Sequence, residues 1–309
     1  MELVICICVN LPCAVLGLLM NMFYVFCLIF PLGGEMNVRQ PLMTLLVLVI
    51  CCTSTFQLCF IIHLSLEFMA IGGNLKQIVD ALMSYAVRVS IPASLWLNIF
   101  YCSQIIPVTY APFIWLKKNI KTVVYFLLIS TKIYFLTYFV LEILMSYGIF
   151  SRMKLPQVNS TVINGSYASV RTKFQISSLL DILDTLTMVL IMLGLCVMLI
   201  VTGSTGRYLY KHIRKMTSSG MPFNSQTLQN QVRVTLTSFI QGFIYLLFTV
   251  GAFIDVYCAF KSLVFDWDIV WMLHNLYSLA TIINLGVGQS LFRQRVAHLC
   301  QKALNIPSS

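Results

Sequence analysis

Seven times between about Leu3 and Val287 the chain returns to a long apolar run. A helix of about 20 such residues, rising 1.5 Å per residue, crosses the ~30 Å hydrocarbon core of a bilayer. The runs predict helices over 3–30, 42–66, 81–108, 122–148, 176–206, 232–258 and 265–287, with a short amphipathic helix over 289–303. Turn chemistry separates the first three, at Pro31-Leu-Gly-Gly and Gly72-Gly73-Asn74. Charged residues are only 10% of the chain and hydrophobic ones 59%. Soluble domains carry about 25% charged residues, so in water this chain lacks the polar surface to cover itself. The fold class expected is all-α, a seven-transmembrane-helix bundle forming a single domain over 1–309. The first run greatly exceeds the ~7–15 apolar residues of a cleaved signal peptide and is kept as a helix.

Charge sets the expected orientation. If the first helix enters from outside, the inner loops and tail hold Arg39, Lys117, Lys118, Lys121, Arg207, Lys211, Arg214, Lys215, Arg233, Arg293, Arg295 and Lys302, twelve of the 20 basic residues. Glu35 is the one acidic residue on that side. The excess of Lys and Arg on the inner side predicts an extracellular N-terminus, a cytoplasmic amphipathic tail helix and a multi-pass plasma-membrane protein. The tail sets Leu291, Phe292, Val296 and Leu299 against Arg293, Arg295 and Lys302, a pattern suited to an anionic lipid leaflet. The formal charge of +10 is then a property of the inner face and gives no sign of nucleic acid. Two acceptor sequons, at Asn159 and Asn164, fall in the polar stretch 149–175, which this orientation puts outside.

The acidic residues gather at the other mouth: Glu67, Asp80, Glu142, Asp181, Asp184, Asp255, Asp266 and Asp268. Asp181, Asp184 and Asp255 lie within helices, where a carboxylate needs a partner. A protonated amine is one candidate, with Trp271 and Tyr257 as aromatic faces for it. Arg88 is the other, and if it pairs with one of them an uncharged or anionic ligand is favoured. His63 and His274 read either as pocket residues or as satisfied bundle histidines. Gly17 and Asn21, i and i+4 on the first helix, permit close approach and place an amide inside the bundle. No metal-ligand spacing, glycine-rich phosphate loop or nucleophile elbow is present, so the sequence points to no enzyme and no cofactor. The 11 cysteines fall almost entirely within spans, and 149–175 has none to tie that stretch to the third helix.

Four local motifs carry a family resemblance. Gly17-x-x-x-Asn21-x-Phe23 in the first helix is similar to G-x-x-x-N-x-F. Phe100-Tyr101-Cys-Ser-Gln104-Ile105 resembles F-Y-x-x-K-I, with Gln104 in place of the lysine. Leu209-Tyr-Lys-His212-Ile-Arg-Lys-Met216 resembles L-x-x-H-x-x-x-M, and Gly288-Gln289-Ser-Leu-Phe-Arg293-Gln294 resembles G-N-x-K-L-K-Q. In their order and spacing they resemble the bitter taste (type 2 taste) receptors, a family of G-protein-coupled receptors. The departures suggest a divergent, non-mammalian member.

That resemblance implies a small-molecule agonist held by the outer halves of helices three, five, six and seven. Arg88 and Trp271 fall at pocket positions, beside Asp181, Asp184, Asp255, Tyr257 and His274 from the residue reading. It implies that Tyr101, Gln104, His212, Arg214 and Met216, with Arg233 nearby, face a heterotrimeric G protein of gustducin-like or Gi type. Two further readings stay open: a vomeronasal type 1-like pheromone receptor, and a membrane transporter, for which the expected internal repeats are not seen.

Overall fold

The computed structural model describes residues 2–30, 40–70, 72–105, 111–153, 163–218, 226–260 and 267–303. Among them the chain forms α1 (Glu2–Ile29), α2 (Leu42–Phe68), α3 (Asn74–Ile105), α4 (Ala111–Met153), α5 (Ile163–Ser218), α6 (Gln226–Phe260), α7 (Trp267–Gly288) and α8 (Ser290–Ala303). The first seven are long and apolar enough to cross a membrane. The all-α seven-helix bundle expected from the apolar runs is the fold observed.

Helices α3 to α6 begin before the runs that signalled them, and α4 to α6 also end after them. The main difference concerns 149–175, which reads as a polar loop: α4 continues to Met153 and α5 already begins at Ile163. Hydropathy marks where a helix meets hydrocarbon, whereas the backbone ladder stops only at a breaker. The segment 163–175 has no proline and includes alanine, arginine, lysine and glutamine, all of which helices accept. At the other end of α4, Pro112 sits in the first turn, where its missing N–H leaves no helical bond unmade.

Helix α3 runs through the middle of the bundle and meets α2, α4, α5, α6 and α7, while α1 closes the ring against α2 and α7. Helix α4 is peripheral and touches α3 and α5 among the described elements. Two large apolar clusters fill most of the interior, beside a small one around Cys52, Val89 and Phe135. One, around Phe56, Phe60, Met83, Ile91, Tyr245 and Tyr277, occupies the half away from α8. The other, around Tyr24, Leu46, Val49, Phe100, Ile282 and Phe292, occupies the half next to it.

Lipid tails are as apolar as leucine, so close packing and polar seams must hold such helices together. Gly17 and Asn21 supply one seam. Asn21 Nδ2 donates to Gln57 Oε1 at 2.9 Å, and Thr53 Oγ1 donates to Asn21 Oδ1 at 3.2 Å. Gly17 makes room for that amide, since a Cβ there would stand 1.9 Å from Gln57 Nε2. A second seam joins α1 to α7, where Asn275 Nδ2 donates to the Asn10 carbonyl at 2.8 Å and Tyr24 Oη to that of Ile282 at 3.2 Å.

Helix α8 is amphipathic and docks by its apolar face: buried Phe292 stacks on Tyr24 with ring centroids 4.2 Å apart. Arg293 Nη1 donates to the carbonyls of Val287 (2.6 Å) and Gly288 (3.2 Å), capping α7 with a positive charge where the helix dipole favours one.

Candidate functional site

In the half of the bundle away from α8, a cavity of about 100 Å³ lies between α3, α5, α6 and α7. Arg88, Ile91, Thr187, Phe248, Gly251 and His274 line it. The helices that the resemblance names are therefore the ones that enclose it.

Arg88 is its most elaborate wall. Nη2 donates to Tyr138 Oη at 3.1 Å and to Asp184 Oδ1 at 3.3 Å, and Tyr138 Oη donates to the same carboxylate oxygen at 2.9 Å. The guanidinium carbon lies 3.7 Å from the centre of the Tyr138 ring, a cation–π arrangement. One residue each from α3, α4 and α5 thus closes a charge-balanced triangle. Arg88 Nη1 remains buried without a partner, as does Glu142 Oε2, one turn beyond Tyr138 on α4.

The expected carboxylates part company. Asp184 is engaged by Arg88 and Tyr138. Asp181 is exposed beside Ile182 and lines none of the described cavities. The side chains of Asp255 and Tyr257 lie outside the described residues.

His274 borders the cavity with Nδ1 2.6 Å from the Val270 carbonyl and its ring edge-on to Phe248, centroids 5.3 Å apart. Trp271 does not line the cavity; it sits between His274 (5.7 Å) and His63 (6.2 Å). His63 belongs to a cluster that sequence reasoning did not assemble. Its Nδ1 is 2.6 Å from Asp80 Oδ1, its Nε2 is 3.4 Å from Glu67 Oε2, and Lys76 Nζ meets Glu67 Oε1 at 3.1 Å. The i,i+4 spacing of His63 and Glu67 was the available signal. Because the two ring nitrogens point to different carboxylates, the trio does not converge on one metal ion.

At the α8 end, Tyr101 is partly buried, with its hydroxyl shielded and unpartnered at the edge of a polar cavity of about 20 Å³. Asn98, Gln241, Thr281 and Asn284 also line it, and Asn284 Nδ2 donates to Gln241 Oε1 at 3.0 Å. Gln104 and Arg214 are exposed. His212 is half-buried, with Nδ1 unpartnered and its ring 6.0 Å from Tyr208. Burial, then the nearby Arg233 guanidinium, hold Arg293 below the ordinary arginine range. Two cations thus approach each other at this end, with no described carboxylate between them. The Met216 side chain, all of Asn159 and the Asn164 side chain lie outside the described residues, although the Asn164 backbone is in the first turn of α5.

A search of curated proteins finds no match to this chain. A family model described as Taste receptor protein (TAS2R) matches residues 1–303. With seven apolar helices, a cavity between α3, α5, α6 and α7, and that match over nearly all of its length, the chain belongs to the taste receptor protein (TAS2R) family of G-protein-coupled receptors.

Proposed function

We propose that the chain is a bitter-type chemosensory receptor of the plasma membrane, oriented with α8 in the cytoplasm. Small agonists occupy the cavity beside Arg88, and a heterotrimeric G protein, gustducin-like or of Gi type, docks at the α8 end near Tyr101, Gln104, His212, Arg214, Met216 and Arg233. The observation that carries this reading is the cavity itself, lined by Arg88 and enclosed by four helices that must shift together if its shape is to reach the opposite face. An agonist shifts the bundle by its difference in affinity between the two arrangements and by no more.

Of the ligands that the sequence allows, cationic, uncharged or anionic, the geometry favours the uncharged one. An amine seeking Asp184 would have to compete with Arg88, whose charge already answers that carboxylate. The amine alternative keeps a clear signature: potency falling for charged but not neutral analogues in Asp181→Asn, Asp184→Asn or Asp255→Asn.

The test is calcium signalling in cells that express the chain with a promiscuous G protein, screened with bitter compounds. Gly251→Leu serves as the site control. A Cβ at this cavity-lining position would stand 2.8 Å from Leu273 Cδ1, a flexible side-chain end, so the added side chain fills the cavity at modest structural cost. Expected is loss of agonist response at normal surface delivery; an unchanged dose–response curve would refute the assignment.

A further inference from the structure

A second hollow, of about 260 Å³, lies between α3, α4 and α5 on the flank of the bundle. Pro92 and Leu95 of α3, Leu127 and Phe135 of α4, and Leu190 and Val197 of α5 are among its walls. Leu190 and Val197 are exposed, at 46% and 39%, on the outer surface of a span, so the hollow opens toward hydrocarbon. It is divided from the bundle cavity by a partition that both share: Arg88, Ile91, Thr187 and Ile191. Small-molecule sites begin at about 300 Å³. Neither the inner cavity of about 100 Å³ nor this groove of about 260 Å³ reaches that size alone, and joined across the partition they do.

We propose, on the reading that this chain is a small-molecule receptor, that the groove is the outer compartment of the agonist site, filled from the bilayer. Its ligands are uncharged molecules with an apolar body and one group that both donates and accepts hydrogen bonds, a hydroxyl being the simplest. The apolar body follows from the walls. Three of the polar groups among them are already engaged: Thr131 with the Leu127 carbonyl (2.7 Å), Thr187 with that of Leu183 (2.8 Å), and Tyr245 with that of Ile191 (3.2 Å).

Arg88 differs, and on both counts. Its Nη1 is a buried donor without a partner. Its carbonyl lacks the usual helical donor, because the residue four positions on is Pro92, which has no N–H. One hydroxyl can serve as acceptor for the first or as donor to the second.

The absence of ligand charge follows from the Arg88–Asp184 pair. Asp184 already balances the guanidinium, so a ligand carboxylate would have to displace it from Arg88, and a ligand ammonium in the groove would meet the arginine. Entry from the bilayer follows from the position of the groove and from partitioning, which enriches an apolar molecule in hydrocarbon about fourfold for each added methylene.

The full chain, purified into bilayer nanodiscs, is to be photolabelled with octanol bearing a diazirine, and the adducts mapped by peptide mass spectrometry. Expected is saturable labelling within Leu127–Phe135 and Leu190–Val197, competed by plain octanol and extending to Val270–Leu273 of the inner cavity. Leu190→Trp, and independently Leu127→Trp on the facing wall, should lower both sets of adducts at least fivefold while leaving the outward-facing Leu16 and Phe243 labelled as before. The matching diazirine alkane, without its hydroxyl, should need about tenfold more probe or beyond, the worth of a hydrogen bond to a charged donor.

Unsaturable labelling spread over Leu16 and Phe243 in proportion to exposure would overturn the site. Inner-cavity adducts that survive both tryptophan variants would overturn entry from the bilayer, and equal alkane and alcohol labelling would overturn the role of Arg88. None of these readouts depends on signalling, so a receptor that labels as expected yet answers no bitter compound would refute the functional reading and leave the site standing.

Discussion

Arg88 and Gly17 show what a single residue settles here. Asp184 is 52% exposed, so the Arg88–Asp184 contact is partly screened and is worth less as stability than as orientation. Asp184→Asn keeps an acceptor for both Arg88 and Tyr138. It should therefore melt within a few degrees of the parent, whereas Asp184→Ala, which frees Tyr138 as well, should weaken agonist potency by tenfold or more. Thermal melts in detergent and dose–response curves check the two halves of that expectation. At Gly17 the sign is different, because the atom a new Cβ would strike is the amide of Gln57 that completes the α1–α2 seam. Gly17→Ala should cost roughly 1–3 kcal/mol, the penalty of an unsatisfied buried amide, and lower the melting temperature accordingly. The i,i+4 placement of Gly17 and Asn21 was readable from the chain. Their partner Gln57 was not, since pairing across helices depends on rotations that no single-helix pattern records. The pairing of Arg88 was read the same way, as a cation and a carboxylate in search of each other; Asp181 and Asp184 share a face of α5 by their i,i+3 spacing, and which of them meets Arg88 depends on the level at which α5 packs against α3 and α4.

At the scale of the element, the apolar runs located every span and misjudged where several of the helices begin and end. His212 shows why the difference matters. A helix over 176–206 would leave it in a loop beyond the helix end, but α5 stays helical to Ser218, so His212 is an interior residue of a helix. Its buried, unpartnered Nδ1 therefore does not serve as a terminal cap. His212→Ala is expected to change basal or agonist-driven signalling while surface delivery, followed by an epitope tag, stays normal. Unaltered signalling would reduce His212 to packing. The cavity was legible only as a set of helices. Which residues line it depends on the tilt and rotation of the helices, and Trp271, credible from its place in the sequence, stands between His63 and His274 beside the cavity.

Across the whole molecule the described carboxylates gather at one end, where Lys76 and Arg88 pair with two of them. The described carboxylates with placed side chains, Glu67, Asp80, Glu142, Asp181 and Asp184, lie in the half away from α8, while Arg207, Lys211, Arg233, Arg293 and Arg295 lie toward it. If that sorting reflects insertion with α8 inside, Asn159, Asn164 or both should carry sugar. Treatment with an N-glycosidase should then shift the protein on a gel, and a chain without sugar from a eukaryotic host would remove the independent support for this orientation. The bundle also ties its beginning to its end. Tyr24 reaches the Ile282 carbonyl across 258 residues of sequence, and Asn275 reaches Asn10 across 265. At ~5–20 residues per second, a ribosome makes the first helix roughly 13–50 s before those partners exist. Throughout that interval neither the Asn275 amide nor the Ile282 carbonyl has been made. Helix α1 is thus made well before its partners and is among the last to be locked, and a chain halted after Gly288 would never obtain Phe292, the ring that rests on Tyr24.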